Sequence, residues 1–472
     1  MSEPINSFPD FKSAFGDKRL EKRAAEVLQK LTRGRSSSIR QVTDNRSQAK
    51  SFYRLLENEK FSEENIENSI ITRCGELCSD RHVLVIQDTS ETNLSSHVGR
   101  IKKGDNGIGD TSKKGIKGYF LHPCLVVDAE KGTGLGYSSV KIWHREEVKD
   151  QGGDEYKKLL IEDKESHKWI GAIEDSKKQL TKAKLITIIA DREADIYDMF
   201  GRYGYDERIK LLIRSKSNRS IGDGNETLIE HLRALPVMLN YSLELRGDIR
   251  TGMVRRKVQM ELKWTKVKLR RPSSCNDKTL ASSVTVYVVE AKEKGKKGGL
   301  SWRILTTHEI DTAEQALQII EWYKQRWYIE QVFRLLKTQG FRIESSQLES
   351  GYAIRKLNML ALLSVLRIIQ MMLAYGDEQE QAIEEAFTPE EQQCLAQCNS
   401  KLEGDTEKQK NPNHPSTIKW ATWIVARLGG WDGYKSQRKP GPIVLHRGFI
   451  KFHILYEGWR LAQSFFKDVG TQ

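Results

Sequence analysis

The sequence predicts an α/β protein, a sheet-centred domain that carries a β-rich insertion and is flanked by helical segments at both ends. Three observations predict it. Short, continuously apolar runs at His82–Gln87, Leu185–Ala190 and Ile209–Ile213 read as strands buried on both faces. A helical stretch, Asp163–Lys182, leads into the second of these runs, as a connection in an α/β sheet would. The first sixty residues and the last fifty carry helix-period patterns instead.

Composition narrows the function. The 472 residues include 77 Lys+Arg against 64 Asp+Glu, a net charge of +13. With 38% hydrophobic and 30% charged residues the chain is globular, which excludes full-length disorder. The basic excess favours a polyanionic partner, since Lys and Arg neutralise phosphates and release counterions. Met1–Ser7 leads into polar sequence with no basic-then-apolar leader, so a cytoplasmic location without membrane contact is expected. The most apolar stretch, Leu357–Tyr375, is broken by Arg367 and Gln370 and reads as a buried helix. Cys74/Cys78 and Cys394/Cys398 have C-x3-C spacing with no His cluster nearby, so reduced thiols are expected and not a zinc site.

In chain order, Lys12–Arg54 comes first, with 12 basic and 4 acidic residues. Asp17 can cap a helix over Lys18–Leu31, which Gly34 and Ser36–Ser38 end. A second helix fits Arg46–Leu56. Two basic helices with a polar connection suit a DNA-docking head, with Arg40 and Arg54 as phosphate contacts; a solvated helical face is the plainer reading. Strands follow at His82–Gln87, Tyr119–Val127, Leu135–Ile142, Leu185–Ala190 and Ile209–Ile213. Gly/Asn turns and the alternating Lys263–Arg271, Ser282–Val289 and Trp302–Thr306 mark a β-rich insertion at about 217–305. Thr312–Gln339 reads as one long helix capped by Thr312 and free of Pro and Gly throughout. A polar, Pro-marked stretch, Glu403–Pro415, precedes a last helical region, Thr417–Phe466. The expected domains are 1–62, 63–375 and 376–472.

The chemistry gathers at three places. Asp88 and Asp191 each close an apolar strand, where α/β sheets build their sites, although Asp is also ordinary turn chemistry. Tyr323, Arg326, Glu330 and Lys337 fall within about 60° of arc on the long helix, at ~100° per residue. Such a stripe is either a salt-bridged exposed face or a site. Three carboxylates without Cys or His suit hard divalent cations. Two Mg²⁺ ions held there could activate a water or a 3′-hydroxyl in phosphodiester displacement, with Arg and Lys holding the phosphate. Metal-assisted cleavage or transfer of nucleic-acid phosphodiesters is the reading these residues favour.

The stripe Tyr323-x2-Arg326-x3-Glu330-x6-Lys337 resembles the Y-R-E-K signature of the IS-Four-family DDE transposases. Asp191-Arg192-Glu193-Ala194-Asp195-Ile196 and Asp88-Thr89 are similar to the second-Asp and first-Asp motifs of the Tn-five-type enzyme. Phe15–Leu20, Phe52–Asn58, Val425–Gly430 and Glu457–Trp459 extend the likeness over nearly the whole chain. Gln87 departs from it, standing where an acidic residue is expected.

The resemblance implies an RNase H-like core and a metal triad of Asp88, Asp191 and Glu330 binding two Mg²⁺, with Mn²⁺ able to substitute. It implies phosphate contacts from Tyr323, Arg326 and Lys337, and contacts with end DNA from Arg214 and Lys216. Trp302 would stack on a flipped base, although its position alone suits plain core. The implied partners are double-stranded DNA (transposon ends and target) and a second copy of the chain. The implied activity is cut-and-paste transposition. A catalytically inactive end-binding inhibitor and a generic RNase H-like nuclease remain as alternatives.

Overall fold

In the computed structural model, residues 9 and 11–469 are described, apart from 35, 147–155, 157, 223, 225, 246–255, 297, 338–339, 377–379 and 435–437. Four helices open the chain: α1 (Lys18–Gly34), α2 (Ile39–Val42), α3 (Arg46–Glu57) and α4 (Glu63–Leu77). Asp17 accepts the Arg19 backbone N–H at 2.8 Å, which fixes the start of α1. Asn45 and Ser62 cap α3 and α4 in the same way. The apolar faces of α1 and α3 meet around Val27, Leu31, Phe52 and Leu56, all buried.

One mixed sheet organises the centre. Its strands are β1 (His82–Gln87), β2 (Ser90–Asn93), β3 (Gly109–Asp110), β4 (Lys117–Asp128), β5 (Gly134–Trp143), β6 (Leu185–Ala190), β7 (Ile209–Arg214), β8 (Leu239–Leu245), β9 (Arg256–Arg270), β10 (Ser283–Glu293) and β11 (Ser301–Thr306). Their order is β5-β4-β1-β6-β7-β11-β10-β9-β8, with β2 and β3 also on β4. β1, β6 and β7 run parallel, β4 lies antiparallel beside β1, and β5 lies antiparallel beside β4. Short helices α5 (His167–Gln179), α6 (Tyr197–Tyr203) and α7 (Leu228–Ala234) lie between strands. The insertion is not a separate lobe: β11 pairs with β7, so β8–β11 widen the same sheet.

The expected helix Thr312–Gln339 is two helices, α8 (Ala313–Lys324) and α9 (Trp327–Leu336); residues 338 and 339 lie outside the described part. Thr312 does cap the start, in a capping box with Gln315. The break at Gln325–Arg326 is a tightening, not an unwinding. Gln325 N–H bonds Trp322 O, Arg326 N–H bonds Tyr323 O and Tyr328 N–H bonds Gln325 O, at 3.0, 3.0 and 2.9 Å. These i→i−3 bonds make a 3₁₀-like turn, so one 100° wheel no longer describes the stripe.

The apolar run forms α10 (Gly351–Gly376), which packs against α1, α3, α4, α9 and β5. It is long and apolar enough to cross a membrane, yet its apolar window is wholly buried inside the protein. Arg355 on α10 is buried and bonds Glu63 at 2.6 Å and Ile142 O at 3.1 Å, tying α4 and β5 to this helix. The C-terminal helices α11 (Pro389–Leu402), α12 (Ile418–Leu428) and α13 (Pro442–Val469) close over its end. The sheet separates two apolar cores. One contains α8–α10 and the terminal helices; the other contains α5 and α6. All six cysteines are free thiols.

Candidate active site

β1 and β6 are parallel neighbours paired in register from His82↔Leu185 to Ile86↔Ile189. Carried two residues past the last pair, the same register sets Asp88, just after β1, beside Asp191, just after β6. Parallel neighbours in register point to the same face, so both carboxylates leave the sheet together. Asp191 Oδ1 accepts the Glu193 N–H at 2.9 Å, which fixes the turn after β6. Asp88 Oδ1 accepts the Thr89 N–H at 2.8 Å.

The 3₁₀-like turn aims Arg326 at this edge. Its Nη1 donates to Asp88 Oδ2 at 3.1 Å, and its Nη2 donates to Glu330. One guanidinium thus joins carboxylates 242 positions apart in the chain. Burial, and then the Asp191 charge, raise the pKa of Asp88 to about 6, with Glu330 adding to the rise and Arg326 opposing it. That effect places all three carboxylates in one field.

They do not form a ready-made cage. Among the described residues, no three His, Cys, Asp or Glu side chains are gathered as an ion-binding group. The donor chemistry still fits a hard divalent cation, for every donor is a carboxylate oxygen, and Arg326 is the cation bonded to two of them. An ion here would have to compete with that guanidinium.

The remaining predicted residues divide. Tyr323, at the end of α8, is buried and meets Trp302 of β11 edge-on at 6.4 Å. Burial raises its phenol pKa, and Arg326 and Arg214 oppose the rise. Lys337 donates to the carbonyl of Glu91, three residues on from Asp88, and burial lowers its pKa. Arg214, closing β7, reaches the Ser301 carbonyl at 3.3 Å. Lys216 is exposed, while its backbone N–H is held by buried Asp195 at 2.7 Å. Arg40 on α2 and Arg54 on α3 are exposed and lie on the N-terminal helices, away from the sheet edge.

A basic pocket of about 210 Å³ adjoins Asp191, lined by Arg192, Arg214, Ser215, Lys216, Ser301 and Arg303. Sequence reading missed Arg192 and Arg303. Arg303 sits in an alternating strand, and the signal that could have found it is its place one residue after Trp302.

Residues 11–61 match the family model described as transposase DNA-binding, and residues 165–367 match the one described as transposase DDE domain. The first match spans α1–α3. The second contains Asp191 and Glu330 and begins beyond Asp88. The chain thus carries a transposase DNA-binding domain followed by a transposase DDE domain, which supports a transposase role.

Proposed function

We propose that this transposase works by cut and paste. It binds the inverted ends of a mobile DNA segment, cleaves them by metal-dependent hydrolysis and hairpin formation, and joins the 3′ ends to target DNA. Asp88, Asp191 and Glu330 are the catalytic carboxylates. The observation that carries this reading is the shared guanidinium on Asp88 and Glu330, with Asp191 level with Asp88 on the neighbouring strand. An RNase H-like core is supported by the strand order β5-β4-β1-β6-β7, three antiparallel and then two parallel.

Mg²⁺ is the proposed ion, two per site, with Mn²⁺ as a substitute, held by the three carboxylates. When bound it would supply the charge that activates a water or hydroxyl and stabilises the leaving oxygen. The chain's own residues do the rest. Arg326, Tyr323 and Lys337 hold backbone phosphates beside the carboxylates. Arg214 and Lys216 hold the strand where it crosses the edge of β7, and Trp302 stacks on an extruded base. The N-terminal helices, with Arg40 and Arg54, recognise the end. The region 376–472 joins two end-bound copies, and the catalytic domain occupies 63–375.

The experiment compares wild type with Asp191→Ala and Glu330→Ala on DNA carrying a transposon end. Both variants should bind the end and fail to nick it. Mg²⁺-dependent nicking by either variant refutes the triad. If wild type binds ends and never cuts, the inhibitor reading replaces this one. If it cuts without joining 3′ ends to a target, it is a generic nuclease.

A further inference from the structure

β2 continues the line of β1 along β4 in an unchanged register: Gln87↔Cys124 on one side of the gap and Ser90↔Leu121 on the other. Only Asp88 and Thr89 fall out of the ladder. In that register Pro123 stands opposite Asp88 and His122 opposite Thr89. Proline brings no N–H to a ladder, so the backbone is weakest where the carboxylate must be held.

Side chains span the gap. His122 is completely buried, and its ring lies edge-on to Trp169 at 5.0 Å. Its Nδ1 is 2.8 Å from Thr89 Oγ1, and its Nε2 is 3.1 Å from Gln87 Oε1. The amide oxygen can only accept, so Nε2 carries the proton. Nδ1 is then an acceptor, and the Thr89 hydroxyl donates to it. Burial drives the imidazole pKa down to about 3, so the ring stays neutral. Gln87 suits this role where a carboxylate would not. An acid at position 87 would draw a second proton onto the ring and add buried charge next to the carboxylate cluster.

We infer that His122 is the positioning residue for Asp88, a neutral brace that grips the strand on both sides of that carboxylate through Gln87 and Thr89. Thr89 passes the constraint on, since its own N–H bonds Asp88 Oδ1 at 2.8 Å. The inference rests on the proposed role of Asp88.

The test compares Thr89→Val, Thr89→Ser, His122→Asn and the Thr89→Val/His122→Asn pair, with Asp88→Asn as reference. Gel shift gives end binding, nicking is followed against Mg²⁺ concentration, and electron paramagnetic resonance gives Mn²⁺ affinity on the end-bound protein. Thr89→Val and His122→Asn should bind ends as wild type does. They should lose roughly ten-fold in nicking rate and in Mn²⁺ affinity, the usual scale for removing a partner behind a metal ligand. Thr89→Ser should restore both, and the double variant should be no worse than the poorer single one. Wild-type nicking and Mn²⁺ affinity in Thr89→Val, or equal losses in Thr89→Ser, overturn the brace. The Thr89 pair decides the matter alone if His122→Asn does not fold. Nicking by Asp88→Asn would instead sink the active-site reading, whereas a dead Asp88→Asn beside an unaffected Thr89→Val sinks only the brace.

Discussion

Asp88→Asn should make the DNA-free protein more stable while ending its catalysis. In the folded chain this carboxyl titrates near 6 instead of 3.8, because it is buried beside Asp191 and Glu330. A raised folded pKa means that the native state holds the proton more tightly than the unfolded chain does. Ionised Asp88 therefore weakens the fold. The penalty is absent below about pH 4, grows between pH 4 and 6, and is complete above that. Two units at ~1.36 kcal/mol each amount to about 3 kcal/mol. Asparagine carries no charge, and its single oxygen keeps one of the two bonds, from the Thr89 N–H or from Arg326, a loss that does not vary with pH. Thermal and urea unfolding, in EDTA and without DNA, should show the variant gaining on wild type by about that amount from pH 4 to 7.5. The midpoint shift should be several degrees. A difference that is flat across that range, or a variant less stable than wild type at pH 8, would refute the charge argument.

Other outcomes follow from single contacts. Arg326→Ala should raise the Mn²⁺ affinity of the DNA-free chain, read by electron paramagnetic resonance, because it removes the cation already bound to Asp88 and Glu330; unchanged affinity contradicts that competition. It should also weaken end binding. Arg214→Ala and Lys216→Ala should each lower end affinity and flatten its salt dependence by about one unit of slope in a log–log titration, as for one lost phosphate contact. An unaltered slope would place them off the DNA. Arg355→Ala should cost about 3 kcal/mol in urea unfolding, the low end for breaking a buried pair, since it leaves the half-buried Glu63 without its partner; a loss below 1 kcal/mol would show that water fills the gap freely.

The sheet was legible because buried parallel strands are written as continuous apolar runs. His82–Gln87 and Leu185–Ala190 have the predicted bounds, and their terminal Asp residues lie side by side for the same reason. The insertion read as β, but nothing local marks that β11 pairs with β7, because partner choice is a long-range property. The helix break at Gln325–Arg326 was invisible. Both residues keep right-handed helical dihedrals, no Pro or Gly intervenes, and only the hydrogen-bond register changes. Lys337 shows the limit of the helical wheel. It sits on the predicted stripe, yet it lies at the end of α9, where the chain turns and its amine meets Glu91. His122 gave no signal, for a lone His in an apolar run is ordinary core until its partners are known.

The same arginine explains why the carboxylates can meet without an ion and why they should not cut without one. Asp88 and Asp191 at the ends of their strands and Glu330 on α9 repel one another, and that repulsion adds to burial in raising the Asp88 pKa. Arg326 is the countercharge that lets them approach. A guanidinium cannot polarise a water as a divalent ion does, so this state is stable and inert. In the proposed mechanism a backbone phosphate is the competing ligand for Arg326. Drawing the arginine toward DNA would leave Asp88 and Glu330 uncompensated at the moment the substrate arrives, which raises the affinity of the cluster for a divalent ion. End binding and metal loading would then be coupled by reciprocity, each strengthening the other by the same factor. Mn²⁺ titrations with and without end DNA measure that factor directly. A factor of one would mean that Arg326 stays with the carboxylates throughout the reaction.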